Sequence, residues 1–171
     1  MELMIYEAIF NNPELDEAVS SEGLKHETLE IKSEPDGNQI KLLNIRPDNE
    51  EILPCIYYIH GGGMEIGSCF YKLYQSFGRL IAQQNVSVIM VDFRNARVPS
   101  SVPEVAPFPA GLNDCVSGFD YIRTNAKTLQ IDASRIVIAG ESGGGNLTLA
   151  TGMKLSKEGR SNEIKGLYAL C

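Results

Sequence analysis

The chain has 171 residues and a formal net charge of −7. That length fits one domain with a real core, and the charge argues against nucleic acid or anionic membrane as a partner. No apolar run is long enough to span a bilayer, and Met1-Glu2-Leu3-Met4 lacks the basic and apolar regions of a secretory signal, so a cytoplasmic location and no membrane span are expected.

In chain order, Leu3 to Phe10 carries apolar residues at helical spacing, and Asn11-Asn12-Pro13 ends that run. Thr28 to Lys32 alternates, with Leu29 and Ile31 on one face. Pro35-Asp36-Gly37-Asn38 is a turn signal, and Ile40 to Arg46 reads as a returning strand, which predicts a hairpin. Cys55-Ile56-Tyr57-Tyr58-Ile59 is a continuous apolar run, the mark of a strand covered on both faces. A helix follows with Leu73, Phe77, Leu80 and Ile81 on one side. Val86 to Val91 is a second buried strand, and the four-proline stretch from Arg94 to Pro109 is irregular. Leu112, Cys115, Val116, Phe119 and Ile122 mark an amphipathic helix. Ile136 to Ala139 is a third buried strand, then comes another helix, and Leu167-Tyr168-Ala169-Leu170 reads as a fourth. Strands alternating with helices predict an α/β class fold with a mostly parallel sheet and helices on both faces. The front hairpin makes that sheet mixed. The division expected is a helical, cap-like segment over residues 1–25 and the sheet domain over 26–171.

Two motifs carry chemistry. Gly140-Glu141-Ser142-Gly143-Gly144 follows the strand Ile136 to Ala139 and precedes a helix. This is the context in which G-x-S-x-G acts as a nucleophile elbow, with the serine exposed on a sharp turn and glycines admitting neighbouring backbone. The helix beginning after Ser142 aims its N-terminus at developing negative charge. Leu147, Leu149, Ala150 and Met153 make that helix apolar or small on most sides. His60-Gly61-Gly62-Gly63 follows the strand ending at Ile59, and such a glycine triplet frees backbone N–H groups for an oxyanion. The partner donor would be the N–H of Gly143. His60 reads as a structural residue that shapes the loop, and His26 as a surface residue before the first strand.

Those two motifs, with Asp92-Phe93-Arg94-Asn95-Ala96 and Pro107-Phe108-Pro109-Ala110-Gly111-Leu112-Asn113-Asp114-Cys115 between them, stand in the order and spacing of the hormone-sensitive-lipase-like α/β hydrolases. From about Leu29 to the C-terminus the chain resembles that branch. The resemblance implies hydrolysis of small carboxylic esters without metal or cofactor, Ser142 as nucleophile, and Gly62 and Gly63 as oxyanion donors. It also implies that the N-terminal helix contributes to a cap. Glu141 stands where aspartate is common, and Gly143 where alanine is common.

In that family the acid and the histidine base follow the serine along the chain. Beyond Ser142 this sequence has no histidine and no aspartate, and Glu158 and Glu163 lie in polar surroundings that suit solvated carboxylates. The expectation is a chain incomplete after the elbow, with an ester as substrate and a complementing C-terminal polypeptide. Association through an exposed last strand is expected too. The other class left open is a non-catalytic remnant that binds a small ligand or a partner strand; a serine peptidase is the weaker third. Only two histidines, and four cysteines without a C-x-x-C pair, give no zinc motif. Cys55 and Cys115 read as small buried hydrophobes.

Overall fold

The computed structural model describes the backbone of residues 2–170 and the side chains of residues 5–170. Cys171 lies outside the described residues, as does the Met4 side chain. Two short helices, α1 (Glu2–Phe10) and α2 (Pro13–Glu17), precede a six-stranded sheet. The sheet contains β1 (Leu24–Lys32), β2 (Gln39–Pro47), β3 (Leu53–Ile59), β4 (Ser87–Asp92), β5 (Ile131–Glu141) and β6 (Gly166–Leu170). Its spatial order is β1-β2-β4-β3-β5-β6. β1 and β2 form the expected antiparallel hairpin, with Ile31 opposite Ile40, and β2 also runs antiparallel to β4. The remaining pairs, β4 with β3, β3 with β5 and β5 with β6, are parallel. The fold is therefore a mostly parallel mixed sheet with helices on both faces. His26 sits within β1 rather than before it, because the strand begins at Leu24.

The strands divide their side chains between two cores, as the two-residue period of a pleated strand dictates. Leu42, Tyr57, Ile89 and Ile138 face one way, under helices α4 (Ala110–Thr124) and α5 (Gly143–Lys157). Leu43, Tyr58, Met90 and Ala139, each the next residue along, face the other way, under α3 (Lys72–Ala82). Burying a Leu, Ile or Met side chain of these cores contributes about 1.5–3 kcal/mol. Cys55, Cys69 and Cys115 are buried and unpaired, and burial pushes the Cys55 thiol up to about 12.

On three elements burial does not follow the apolar pattern of the sequence. On α3 the sheet-facing residues are Tyr74, Gly78 and Ala82, while Phe77 and Leu80 stay exposed. Small residues bring the helix close to the sheet: a Cβ at Gly78 would stand 2.7 Å from Met90 Cε. On α5 only Leu147 and Leu155 of the large apolar residues are buried, and Leu149 and Met153 are exposed. β6 is exposed rather than buried among the described residues, which agrees with the expectation of an exposed last strand. It pairs on one side with β5, and Tyr168 is 62% exposed. Tyr168 and Leu170 border an apolar hollow of about 340 Å³ shared with Phe77 and Ile81 of α3.

The irregular stretch after β4 is pinned by buried charge. Arg94 donates from Nε and Nη2 to the two carboxylate oxygens of Asp114 on α4, both at 2.9 Å, and its backbone N–H adds a third bond at 2.9 Å. Ser33 Oγ, at the turn of the hairpin, donates to the same carboxylate at 2.5 Å. Asp114 is fully buried and Arg94 nearly so. Breaking such a buried pair costs up to about 3–5 kcal/mol; without Asp114, Arg94 keeps the exposed Asp36, 2.9 Å from Nη2, as a charge partner. Asp114→Ala is expected to lose stability within that limit in urea unfolding followed by circular dichroism; a loss below about 1 kcal/mol would show that the pair is structurally idle.

Candidate active site

β5 ends at Glu141 and α5 begins at Gly143, so Ser142 alone makes the turn from strand to helix. Its backbone adopts φ 52°, ψ −123°, a region that residues with a Cβ occupy only at a cost of about 1–3 kcal/mol. Two hydrogen bonds hold it there. Ser142 N–H donates to Leu170 O on β6 at 2.7 Å, and Ser142 O accepts from Asn146 N–H in the first turn of α5 at 3.0 Å.

The turn is pressed against the end of β3. A Cβ on Gly144 would lie 2.0 Å from Ile59 O, and one on Gly143 would lie 2.7 Å from Gly63 N. No side chain fits at either contact. The glycine at 143, where the family commonly has alanine, sits directly against the glycine-rich loop.

That loop, His60 to Met64, is fixed peptide by peptide. In a trans peptide the C=O and N–H point in opposite directions. The Gly61 carbonyl lies 2.8 Å from His60 Nδ1, and accepting that bond turns the N–H of Gly62 the other way. The Gly62 carbonyl accepts from the N–H groups of Glu65 at 3.0 Å and Ile66 at 3.1 Å, which turns the N–H of Gly63 away likewise. The peptide before these is held by its N–H: Gly61 N donates to Glu141 Oε1 at 2.7 Å and to Tyr74 Oη at 3.1 Å. Gly62 has φ +104°, and a Cβ there would stand 2.0 Å from Ile66 O.

The structure thus brings Gly61, Gly62, Gly63, Glu141 and Ser142 to one cavity of about 640 Å³. Its walls are apolar: Tyr6 and Phe10 come from α1, Leu73 and Phe77 from α3. The exposed Phe77 of α3 is therefore part of a cavity wall. The N-terminal segment is anchored to α3 by Asp16, which pairs with Lys72 Nζ at 2.6 Å and with the buried Arg79 at 2.9 Å.

No hydrogen bond joins either histidine to Ser142 among the described residues. His60 is fully buried and stacked on Phe93 at 4.4 Å. Burial lowers its pKa, so the ring is neutral at pH 7, with Nδ1–H donating to the Gly61 carbonyl. His26 is exposed on β1, beside the surface hollow lined by Arg46 and Gln130. Glu163 pairs with Arg160 at 2.8 Å and with Arg123 at 3.1 Å, and Glu158 pairs with Arg160 at 3.3 Å. Both are surface ion pairs. Among the described residues no cluster of three His, Cys, Asp or Glu is placed to hold a metal ion, and no helix is long and apolar enough to cross a membrane.

Two functional features escaped the sequence. Tyr58 and Tyr74 both donate to the Glu141 carboxylate, Tyr74 at 2.8 Å. Asp92 gathers Ser68 Oγ at 2.6 Å, Cys69 N at 3.0 Å and Ser101 N at 2.8 Å, which ties the segment after the glycine loop to the irregular stretch. The available signal was a tyrosine inside each of two apolar patterns and an aspartate ending a fully buried strand.

A parallel α/β sheet with a serine on a strand–helix elbow, facing a glycine loop from the neighbouring strand, defines an α/β hydrolase. Residues 56–171 match the α/β hydrolase fold family, and the chain belongs to it, in the hormone-sensitive-lipase-like branch. It is 56% identical to the esterase Est22, with a TM-score of 0.92 over 99% of this chain and 50% of that one. It is 33% identical to brefeldin A esterase, described as a bacterial homologue of human hormone-sensitive lipase, with a TM-score of 0.87 over 98% of this chain and 45% of that one. Carboxylesterase NlhH of Mycobacterium tuberculosis is 35% identical over 96 residues, 56% of this chain and 28% of that protein. The chain therefore spans about half the length of these solved esterases.

The contact between Gly144 and β3 yields a direct test. Gly144→Ala is expected to cost about 1–3 kcal/mol through overpacking. That corresponds to a fall in Tm of at least about 2 °C for a chain of this size, read by differential scanning calorimetry. An unchanged Tm would mean that the elbow and β3 do not touch as described.

Proposed function

We propose that this chain is the nucleophile-bearing part of a carboxylic ester hydrolase. Ser142 Oγ attacks the carbonyl carbon of a small ester. The carbonyl oxygen gains negative charge and is received by the N–H groups of Gly62, Gly63 and Gly143. The C–O bond to the alcohol breaks, leaving an acyl-serine that water then hydrolyses. The observation that carries this reading is the strained Ser142 turn packed directly against a loop whose Gly62 and Gly63 N–H groups have no hydrogen-bond acceptor among the described residues. Backbone donors fixed before the reaction need no reorganisation as charge develops, which is why such holes contribute on the order of 10²–10³ in rate per donor.

The apolar cavity supports a small-molecule ester rather than a charged substrate, and its walls from α1 support a cap role for residues 1–25. No cofactor enters the scheme. The general base is supplied by polypeptide of the kind the relatives carry outside the matched half, because neither histidine here is joined to Ser142. A serine with an oxyanion hole but no base still gives residual catalysis over water. A non-catalytic, ligand-binding remnant is the competing reading, favoured by that same lack of a base.

The test is a chimera joining this chain to the complementary half of the 56%-identical esterase, assayed on p-nitrophenyl acetate and butyrate beside the 171-residue chain alone. The chimera is expected to turn over, and Ser142→Ala in it to reduce kcat by at least about 10³-fold. A folded chimera that is inactive, or one that keeps its activity after Ser142→Ala, would overturn the nucleophile assignment and leave the binding remnant.

A further inference from the structure

We propose that Glu141 is a positioning residue: its carboxylate clamps the glycine loop to the elbow and thereby fixes the geometry of the oxyanion donors. The proposal rests on the reading of Ser142 as nucleophile and of the glycine loop as oxyanion hole.

Glu141 is the last residue of β5, adjacent to Ser142 in sequence. Its side chain reaches across to the other half of the site. Oε1 accepts from Gly61 N–H at 2.7 Å and from Tyr74 Oη at 2.8 Å, while Oε2 accepts from Tyr58 Oη. The three donors come from three elements: Gly61 from the loop, Tyr74 from α3 and Tyr58 from β3. A carboxylate that accepts a backbone N–H makes a charge-assisted bond about twice as strong as a neutral one. Both tyrosines remain protonated donors, since burial and the neighbouring carboxylate raise their pKa values.

The position of Gly61 makes this bond consequential. It is the first peptide of the loop, and the two that follow are held by local bonds, His60 to the Gly61 carbonyl and Glu65 and Ile66 to the Gly62 carbonyl. Among the described residues, only the Gly61 N–H ties the loop to the elbow through a side chain. Without Glu141 the loop keeps its internal turn but loses its registry with Ser142. A shift of about 1 Å in a positioning element can cost on the order of 100-fold in rate. The Gly61 Cα is also crowded, for a Cβ there would stand 2.6 Å from Glu141 Oε1. Tyr74 supplies a second acceptor for Gly61 N–H at 3.1 Å, but its own hydroxyl is oriented by Glu141.

The experiment uses the chimera of this chain with the complementary half of the 56%-identical esterase, with Glu141→Ala and Glu141→Gln. An alkyl fluorophosphonate reads the site: Ser142 Oγ bonds to phosphorus, the P–F bond breaks, fluoride leaves, and the phosphonyl oxygen takes the oxyanion position. Labelling followed by intact mass gives the maximal rate kinact and the half-saturation KI separately. In parallel, glycine-selective ¹⁵N labelling follows the amide resonances of Gly61, Gly62 and Gly63. Glu141→Ala is expected to lower kinact 10- to 100-fold with KI changed less than threefold, and to displace the Gly62 and Gly63 resonances. Glu141→Gln, whose amide oxygen still accepts from Gly61, is expected to recover kinact to within about threefold and to restore Gly62 and Gly63. Glu141→Ala with kinact within twofold of the parent, or with only KI changed, would overturn the proposal. So would unmoved Gly62 and Gly63 resonances. If the parent chimera itself is not labelled at Ser142, the nucleophile reading fails on that measurement alone. The resonances then decide the clamp: displacement by Ala and restoration by Gln support it, and any other pattern overturns it.

Discussion

The first turn of α5 meets the end of β3 backbone to backbone. Gly144 approaches the carbonyl of Ile59 so closely that a methyl group would stand 2.0 Å from it. Everything in the site depends on that approach. It sets the depth of the elbow, it forces Ser142 to take the whole change of direction in one strained residue, and it puts Gly143 against Gly63. Strain of this kind persists only where the surroundings over-determine it. Here the sheet supplies the constraint, through β5 paired with β3 from Cys55 onward and through Leu170 holding the amide of Ser142.

The topology explains why the two motifs meet although Gly61 and Glu141 are 80 positions apart. β3 and β5 are parallel neighbours, so their C-terminal ends open at the same edge of the sheet. In open α/β sheets ligand-binding crevices form at the carboxyl ends of the strands. The loop after β3 and the elbow after β5 are both located there. Buried charge then fixes what the strands leave free. Asp92 and Asp114, each fully buried and each accepting several bonds, hold the long stretch between β4 and α4 that no regular structure supports.

Much of this was legible in the sequence. Continuous apolar runs marked β3, β4 and β5, and the glycine motifs placed themselves at strand ends. The hairpin registered as expected, because alternation and a turn signal are local. What could not be read was which apolar residues find a partner. Phe77, Leu149 and Tyr168 have the character of core residues and are exposed, since periodicity gives a face and not what lies opposite it. Glu141 was legible as a charge beside the serine. Its bonds to Gly61, Tyr58 and Tyr74 cross between three elements and are settled only by packing. Asp114 was legible as part of a family-like string, while its role as the partner of Arg94 needed the turn of α4 against the irregular stretch.

The hydrogen bond from Ser142 to Leu170 has a further consequence. Local opening in a folded chain follows local cohesion, and the free energy of a transient opening ranges from near zero at loosely held segments to the global value in the core. β6 is short, paired on one side and largely exposed. The strained Ser142 is thus anchored through its amide to a strand of five residues. A displacement of β6 would therefore reach the serine's backbone through one amide, without any contact to its side chain.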